Sequence, residues 1–303
     1  MSRPVTVGLD GSRESLAAVE WAAREAGTRG VPLRLLHVGD LGPDVHTPVV
    51  SPGTRRHWTE RIPRETAERV RKDHPDLEVE PRWLPGDPAE VLCEAAEAAE
   101  LLVVGSRGLG ALAGFITGSV SLPLVARSGR PVVLVRAGGA DGPVGGVSAA
   151  ADDTRTGPGP ADGRVVLGVD IDHPCDELLE FAFAHADRHR TALHVVHDWH
   201  LPMLYGPEPV APAVALQEEL AAAKNEALAQ SVRGWSHRYP DVEVTHDCRL
   251  GRPVPHLLKA GRGAGLVVVG RRRRRARFGA HLGSVTHAVL HHCEAPVAVV
   301  PHD

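Results

Sequence analysis

Three glycines and a serine carry the strongest chemical signal in the chain. Gly105, Gly108 and Gly118-Ser119 stand at the spacing G-x2-G-x9-G-S, directly after the apolar run Leu101 to Val104. Glycines at a strand end let the backbone turn with positive φ and approach a ligand with no Cβ in the way. A helix opening at Ser119 would add unpaired N–H groups, the positive end of a dipole and a hydroxyl, a set of donors suited to phosphate. Arg107 lies inside the loop and can add charge, or stand as an ordinary solvated side chain. Asp10, at the end of the run Val5 to Asp10, can accept hydrogen bonds from a ribose or an amine, or serve as a turn or cap residue for the helix behind it.

The elements that must position these groups occur twice. Pro131-Val-Val-Leu-Val recurs as Pro296-Val-Ala-Val-Val, and Gly118-Ser119-Val120 as Gly283-Ser284-Val285, both displaced by 165 residues. Val7-Gly-Leu-Asp10 recurs as Leu167-Gly-Val-Asp170 at 160, and Leu36-His-Val38 matches Leu193-His-Val195 at 157. Two domains are therefore expected, residues 1–137 and 164–303, joined by a flexible Gly- and Pro-rich linker over 138–163. Within each copy short apolar runs alternate with amphipathic stretches, the pattern of βαβ units and a parallel sheet. In such sheets ligands sit beyond the carboxyl ends of the strands, so Asp10, Val38 and Gly105 can converge on one crevice. The final strands, Val132 to Val135 and Val297 to Val300, are expected to pair as the contact between two pseudo-symmetric halves.

Taken together, Val7-Gly-Leu-Asp-Gly-Ser12, Leu36-His-Val38, Gly86-Asp-Pro88 and the glycine loop ahead of Val120 resemble the universal stress proteins. The resemblance covers both halves and leaves out the linker. It implies an α/β fold of two tandem Rossmann-like, adenine nucleotide alpha hydrolase-like domains, each an open five-stranded sheet with helices on both faces. In the ATP-binding branch of that family the loop holds the triphosphate. The resemblance thus implies ATP with Mg²⁺ at Asp10, Val38, Gly105, Gly108, Gly118, Ser119 and Val120, with Arg107 inside the loop as a further candidate, and a stress-response or regulatory role in place of efficient catalysis. A slow ATP hydrolase or adenylyl-transfer enzyme, and a nucleotide-independent interaction module, are the alternatives. An intramolecular pseudo-dimer, a further homodimer and an unidentified protein are the partners it suggests.

The second copy departs from the motif. Asp170, Val195, Gly270, Gly283, Ser284 and Val285 would form its site, but Arg273 stands where Gly108 stands in the first copy. An arginine in left-handed geometry would be strained, so this site is expected to be degenerate. The arginines Arg271 to Arg275 are expected to be solvated, with a polyanion-binding loop as the sharper reading. A net charge of −4 provides no global field for nucleic acid. The pair His287 and His291, at helical spacing, raises a metal site, but lacks a clear third ligand. With scattered cysteines, a polar start and no apolar run near the ~20 residues of a membrane helix, a cytoplasmic protein is expected.

Overall fold

The computed structural model describes residues 2–39, 52–106, 120–137, 163–173, 175–200, 211–273 and 282–303, with backbone alone for 52–59 and 211–216. The first domain runs β1 (Val5–Gly8), α1 (Arg13–Arg29), β2 (Leu33–Gly39), α2 (Pro52–Asp73), β3 (Val79–Pro85), α3 (Pro88–Glu97), β4 (Leu101–Ser106), α4 (Ser121–Arg127) and β5 (Val132–Arg136). The second runs β6 (Val165–Gly168), α5 (Asp176–His189), β7 (Leu193–Trp199), α6 (Ala211–Arg238), β8 (Val244–Leu250), α7 (Pro253–Ala260), β9 (Leu266–Arg272), α8 (Ser284–His292) and β10 (Val297–His302). The expected linker, apart from Gly163, lies outside the described residues.

The strands form one ten-stranded sheet in the order β3-β2-β1-β4-β5-β10-β9-β6-β7-β8. Every neighbour pair is parallel except β5 with β10. Near-continuous apolar strands fit this arrangement, because helices cover both faces of a parallel sheet. Val5, Val7, Leu101 and Val103 pack into the layer under α1, α2, α5 and α6, while Leu102, Val104, Val132 and Leu134 pack into the opposite layer with α3, α4, α7 and α8.

The expected pairing of the last strands is present. Val297 lies opposite Leu134, Ala298 opposite Val133 and Val299 opposite Val132. Val133 and Ala298 are equivalent at the 165-residue offset (298 − 133), so a pseudo-twofold axis passes between them. Their side chains do not lie in the strand seam: both are fully buried in the layer beneath the helices. Lysines there would strike the domain cores as well as the junction.

Strand register corrects one equivalence. Leu33 pairs with Val5 and Leu36 with Gly8, while Leu193 pairs with Val165 and Val196 with Gly168. The offset therefore stays at 160 through the second strand, and Leu36-His37-Val38 corresponds to Val196-His197-Asp198. Val195 is instead the counterpart of Leu35, and both are wholly buried under the helices.

Candidate functional site

The carboxyl ends of β1, β2 and β4 lie side by side at the point where the chain crosses from one side of β1 to the other. Gly8 is beside Val104 and Leu36, and the Leu9 N–H donates to Leu36 O at 3.0 Å. Asp10, Val38 and Gly105 are thereby brought to the same end of three neighbouring strands. His37 fixes the segment through a 2.8 Å bond between Nδ1 and Leu9 O, and His197 repeats the bond with Val169 O at 3.0 Å. This structural role of the histidine was not anticipated; its recurrence in both copies was the signal.

Asp10 is exposed, and its Oδ1 accepts from Ser12 N at 2.9 Å and Ser12 Oγ at 2.5 Å. Ser12, not Asp10, caps α1, accepting from Ser15 N at 3.2 Å. Asp10 thus fills a turn role, and its carboxylate stands at the rim of the crevice. Val38 is half-buried on β2.

Gly105 differs from expectation. It lies within β4 and is absent from the glycines with positive φ. A Cβ here would stand 2.5 Å from the Glu14 carbonyl carbon and 2.7 Å from Ser15 N, so glycine is required by the close approach of the first turn of α1. Val120, half-buried, occupies the N-cap of α4, and the helix proper begins at Ser121, two residues after the expected start. Arg107, Gly108, Gly118 and Ser119 lie outside the described residues.

In the second domain the corresponding crevice encloses about 650 Å³ and is lined by Asp170, Gly270, Gly283 and Val285 among others. Val195, in the core, does not line it; Asp198, at the register-corrected position, does. Asp198 holds the ring of His256 through both carboxylate oxygens at 3.0 Å, and Asp247 takes the other ring nitrogen at 3.2 Å. Asp170 accepts from Asp172 N at 3.2 Å and lies 3.0 Å from His173 Nδ1 and 3.6 Å from Arg272 Nη2. Gly283 is the N-cap of α8, which begins at Ser284. Burial pushes the Cys175 thiol up to about 11, so this cysteine at the crevice wall is held as a thiol and is a poor nucleophile.

Of the described part of the arginine run, Arg273 is exposed as expected and Arg272 half-buried, but Arg271 is not solvated. Arg271 is buried and donates through Nη2 to Ser128 O at 2.5 Å, and Arg273 donates to Gly129 O at 3.0 Å. Both acceptors follow α4 in the other domain. In return Arg136 donates to Leu290 O and His291 O, at 2.9 and 2.6 Å, on the last turn of α8. Each domain therefore supplies guanidinium donors to carbonyls at the C-terminal end of the other domain's helix, where orphan acceptors and negative dipole favour them. Arg273 carries no left-handed strain, since Arg190 is the one non-glycine residue with positive φ among those described. Arg274, Arg275 and Arg277 lie outside the described residues.

The doubly wound strand order, repeated in both halves, defines a tandem α/β protein whose strand-order reversals are the places where such sheets take ligands. The model of the universal stress protein family matches residues 1–136 and again 163–301. Universal stress protein Rv2005c of Mycobacterium tuberculosis is 34% identical over 313 residues, spanning 99% of either chain. A universal stress protein of Mycolicibacterium smegmatis is 33% identical over 308 residues, covering 98% of this chain and 96% of its own. The crystal structure of a universal stress protein from Archaeoglobus fulgidus superposes over the full length of both chains with a TM-score of 0.66 at 19% identity, a likeness of fold. The chain belongs to the universal stress protein family.

Proposed function

We propose that the first domain binds ATP with Mg²⁺ and that occupancy of this crevice sets the shape or partner choice of a stress-response regulator. The observation that supports this most directly is the convergence of Asp10, Val38 and Gly105 on adjacent strand ends, immediately ahead of a segment with intact G-x2-G-x9-G-S spacing. The groups present suit an adenine nucleotide: an exposed carboxylate for a ribose hydroxyl, half-buried Val38 and Val120 as apolar walls, and a glycine loop whose N–H groups can receive phosphate. Arg107, Gly108, Gly118 and Ser119 complete the proposed set, and Mg²⁺ when bound would neutralise phosphate charge.

The domain boundaries proposed for this arrangement are 1–137 and 164–303. In the second domain Arg273 replaces the loop glycine and is committed to Gly129 O, and Asp198 replaces Val38 and is committed to His256. These substitutions support weaker nucleotide binding at Asp170, Gly270, Gly283, Ser284 and Val285. Protein purified rapidly from cells and extracted with acid is expected to release one adenine nucleotide per chain, identified by mass. Extracts free of nucleotide, together with no heat of binding on titration with ATP and Mg²⁺, would favour a nucleotide-independent interaction module.

A further inference from the structure

Helices α1 and α5 meet at the pseudo-twofold axis, where duplication has let equivalent positions diverge. At the offset of 160, Trp21 corresponds to Phe181, Glu25 to His185 and Arg29 to His189. Glu25 is 1% exposed, with Oε2 at 2.7 Å from His189 Nε2 and Oε1 at 3.4 Å from His185 Nδ1. His185 is 6% exposed, and its ring lies parallel to those of Trp21 and Phe181, with centroids 6.3 Å away in each case. Its Nδ1 is buried, aimed at Glu25, and makes no hydrogen bond. One ligand atom from each of Glu25, His185 and His189 falls within 4.8 Å of the others, the one such group of three among the described residues.

We propose that Glu25, His185 and His189 bind a divalent first-row transition cation, best matched by Zn²⁺, which ties the two domains together at their axis. Two imidazoles and a carboxylate suit zinc at about 2.0–2.2 Å from each donor. Such distances place tetrahedral ligands about 3.3–3.5 Å apart, so the 2.7 and 3.4 Å separations need only a small adjustment. Three protein ligands leave a position for water, and the His189 side chain, 29% exposed, gives the ion a path from solvent. The metal takes the place of a proton on His189 Nε2, and the tautomer with hydrogen on Nδ1 keeps the ring neutral.

Arg29 donates from Nε to Glu25 Oε1 at 2.5 Å and pairs with Glu100 on its other side, so it can orient the ligating carboxylate as an outer partner. Arg188 Nη1 stands 3.9 Å from Glu25 Oε1. The two carboxylates balance the two guanidiniums, so no net negative charge awaits the cation, and its affinity is expected to fall below that of a closed four-ligand zinc site. His287 and His291 are the competing locus: their Nε2 atoms are 3.3 Å apart on α8, and no third ligand atom joins them among the described residues.

The test is to titrate the chelator-treated full chain with Zn²⁺ against a chromophoric competitor, and with Co²⁺ while recording its visible spectrum. One tightly bound ion per chain is expected, with a rise in thermal midpoint. His189→Ala should weaken binding about tenfold or more and abolish the rise, with its metal-free circular dichroism unchanged, while His287→Ala with His291→Ala should leave both in place. Equal affinity in His189→Ala and the unmodified chain, loss of the ion in the His287/His291 variant alone, or no binding by the unmodified chain would each overturn the proposal.

Discussion

Gly105→Ala is expected to cost the folded chain about 3 kcal/mol, at the upper end of what one added methyl does in a filled interior. The new Cβ would meet backbone, 2.5 Å from the Glu14 carbonyl carbon and 2.7 Å from its oxygen, so relief requires shifting the first turn of α1 from the sheet. The equivalent change at Gly270 meets side chains in place of backbone, His302 Nε2 at 2.7 Å and Leu178 Cδ2 at 3.4 Å. His302 is buried, so its ring must shift, and Gly270→Ala should cost about 1 kcal/mol, less than Gly105→Ala. Urea denaturation of the two variants checks the contrast, and equal losses would contradict the account of why β4 needs its glycine.

Glu25→Ala, measured with a chelator present, is expected to lower stability by about 3–5 kcal/mol, the usual consequence of removing one partner from a buried charge cluster. Arg29, whose side chain is 6% exposed, would lose its closest buried acceptor, and His185 and His189 would lose the acid that links them to the first domain. Burial works against the charge, yet the neighbouring His185 and His189 rings and the Arg29 guanidinium outweigh it and hold the Glu25 carboxyl well below the usual carboxylate range, so it stays ionised in the fold. A double-mutant cycle with His189→Ala should return a coupling above about 1 kcal/mol. Independent effects of the two changes would show that the pair adds nothing across the axis.

Much of this architecture was legible because the chain carries it twice. Repeated Gly-Asp-Pro-like turns, proline-led final strands and alternating apolar runs defined the βαβ order, and the 165-residue offset brought Val133 opposite Ala298. The same repetition misled at the second strand. Leu36-His-Val38 matches the letters of Leu193-His-Val195, yet hydrogen-bond register sets Asp198 opposite in role to Val38. A buried strand tolerates exchange of apolar letters, and only its pairing with β1 or β6 fixes the frame.

Other features depend on partners more than a hundred residues away. Glycine at 105 reads as conformational freedom until α1 is seen against it, and Arg271 reads as a surface charge until Ser128 O is found beside it. Glu25 left a trace that local reading passed over. It interrupts the small-residue stripe of Ala18, Ala22 and Ala26 on the buried face of α1, and His185 occupies the corresponding place on α5. A charged residue on a core face demands a partner, and here the partner lies in the other copy.

The most direct test of nucleotide binding by the first domain is calorimetric titration of the full chain, Gly118→Val and Gly283→Val with ATP and Mg²⁺. A valine at residue 118 puts a Cβ and two Cγ methyls where the loop backbone is proposed to meet phosphate, whereas residue 283 belongs to the altered copy. The account predicts one ATP per chain, loss of that binding in Gly118→Val, and near-normal affinity in Gly283→Val, with all three proteins equally folded by circular dichroism. Unchanged affinity in a folded Gly118→Val variant would contradict it.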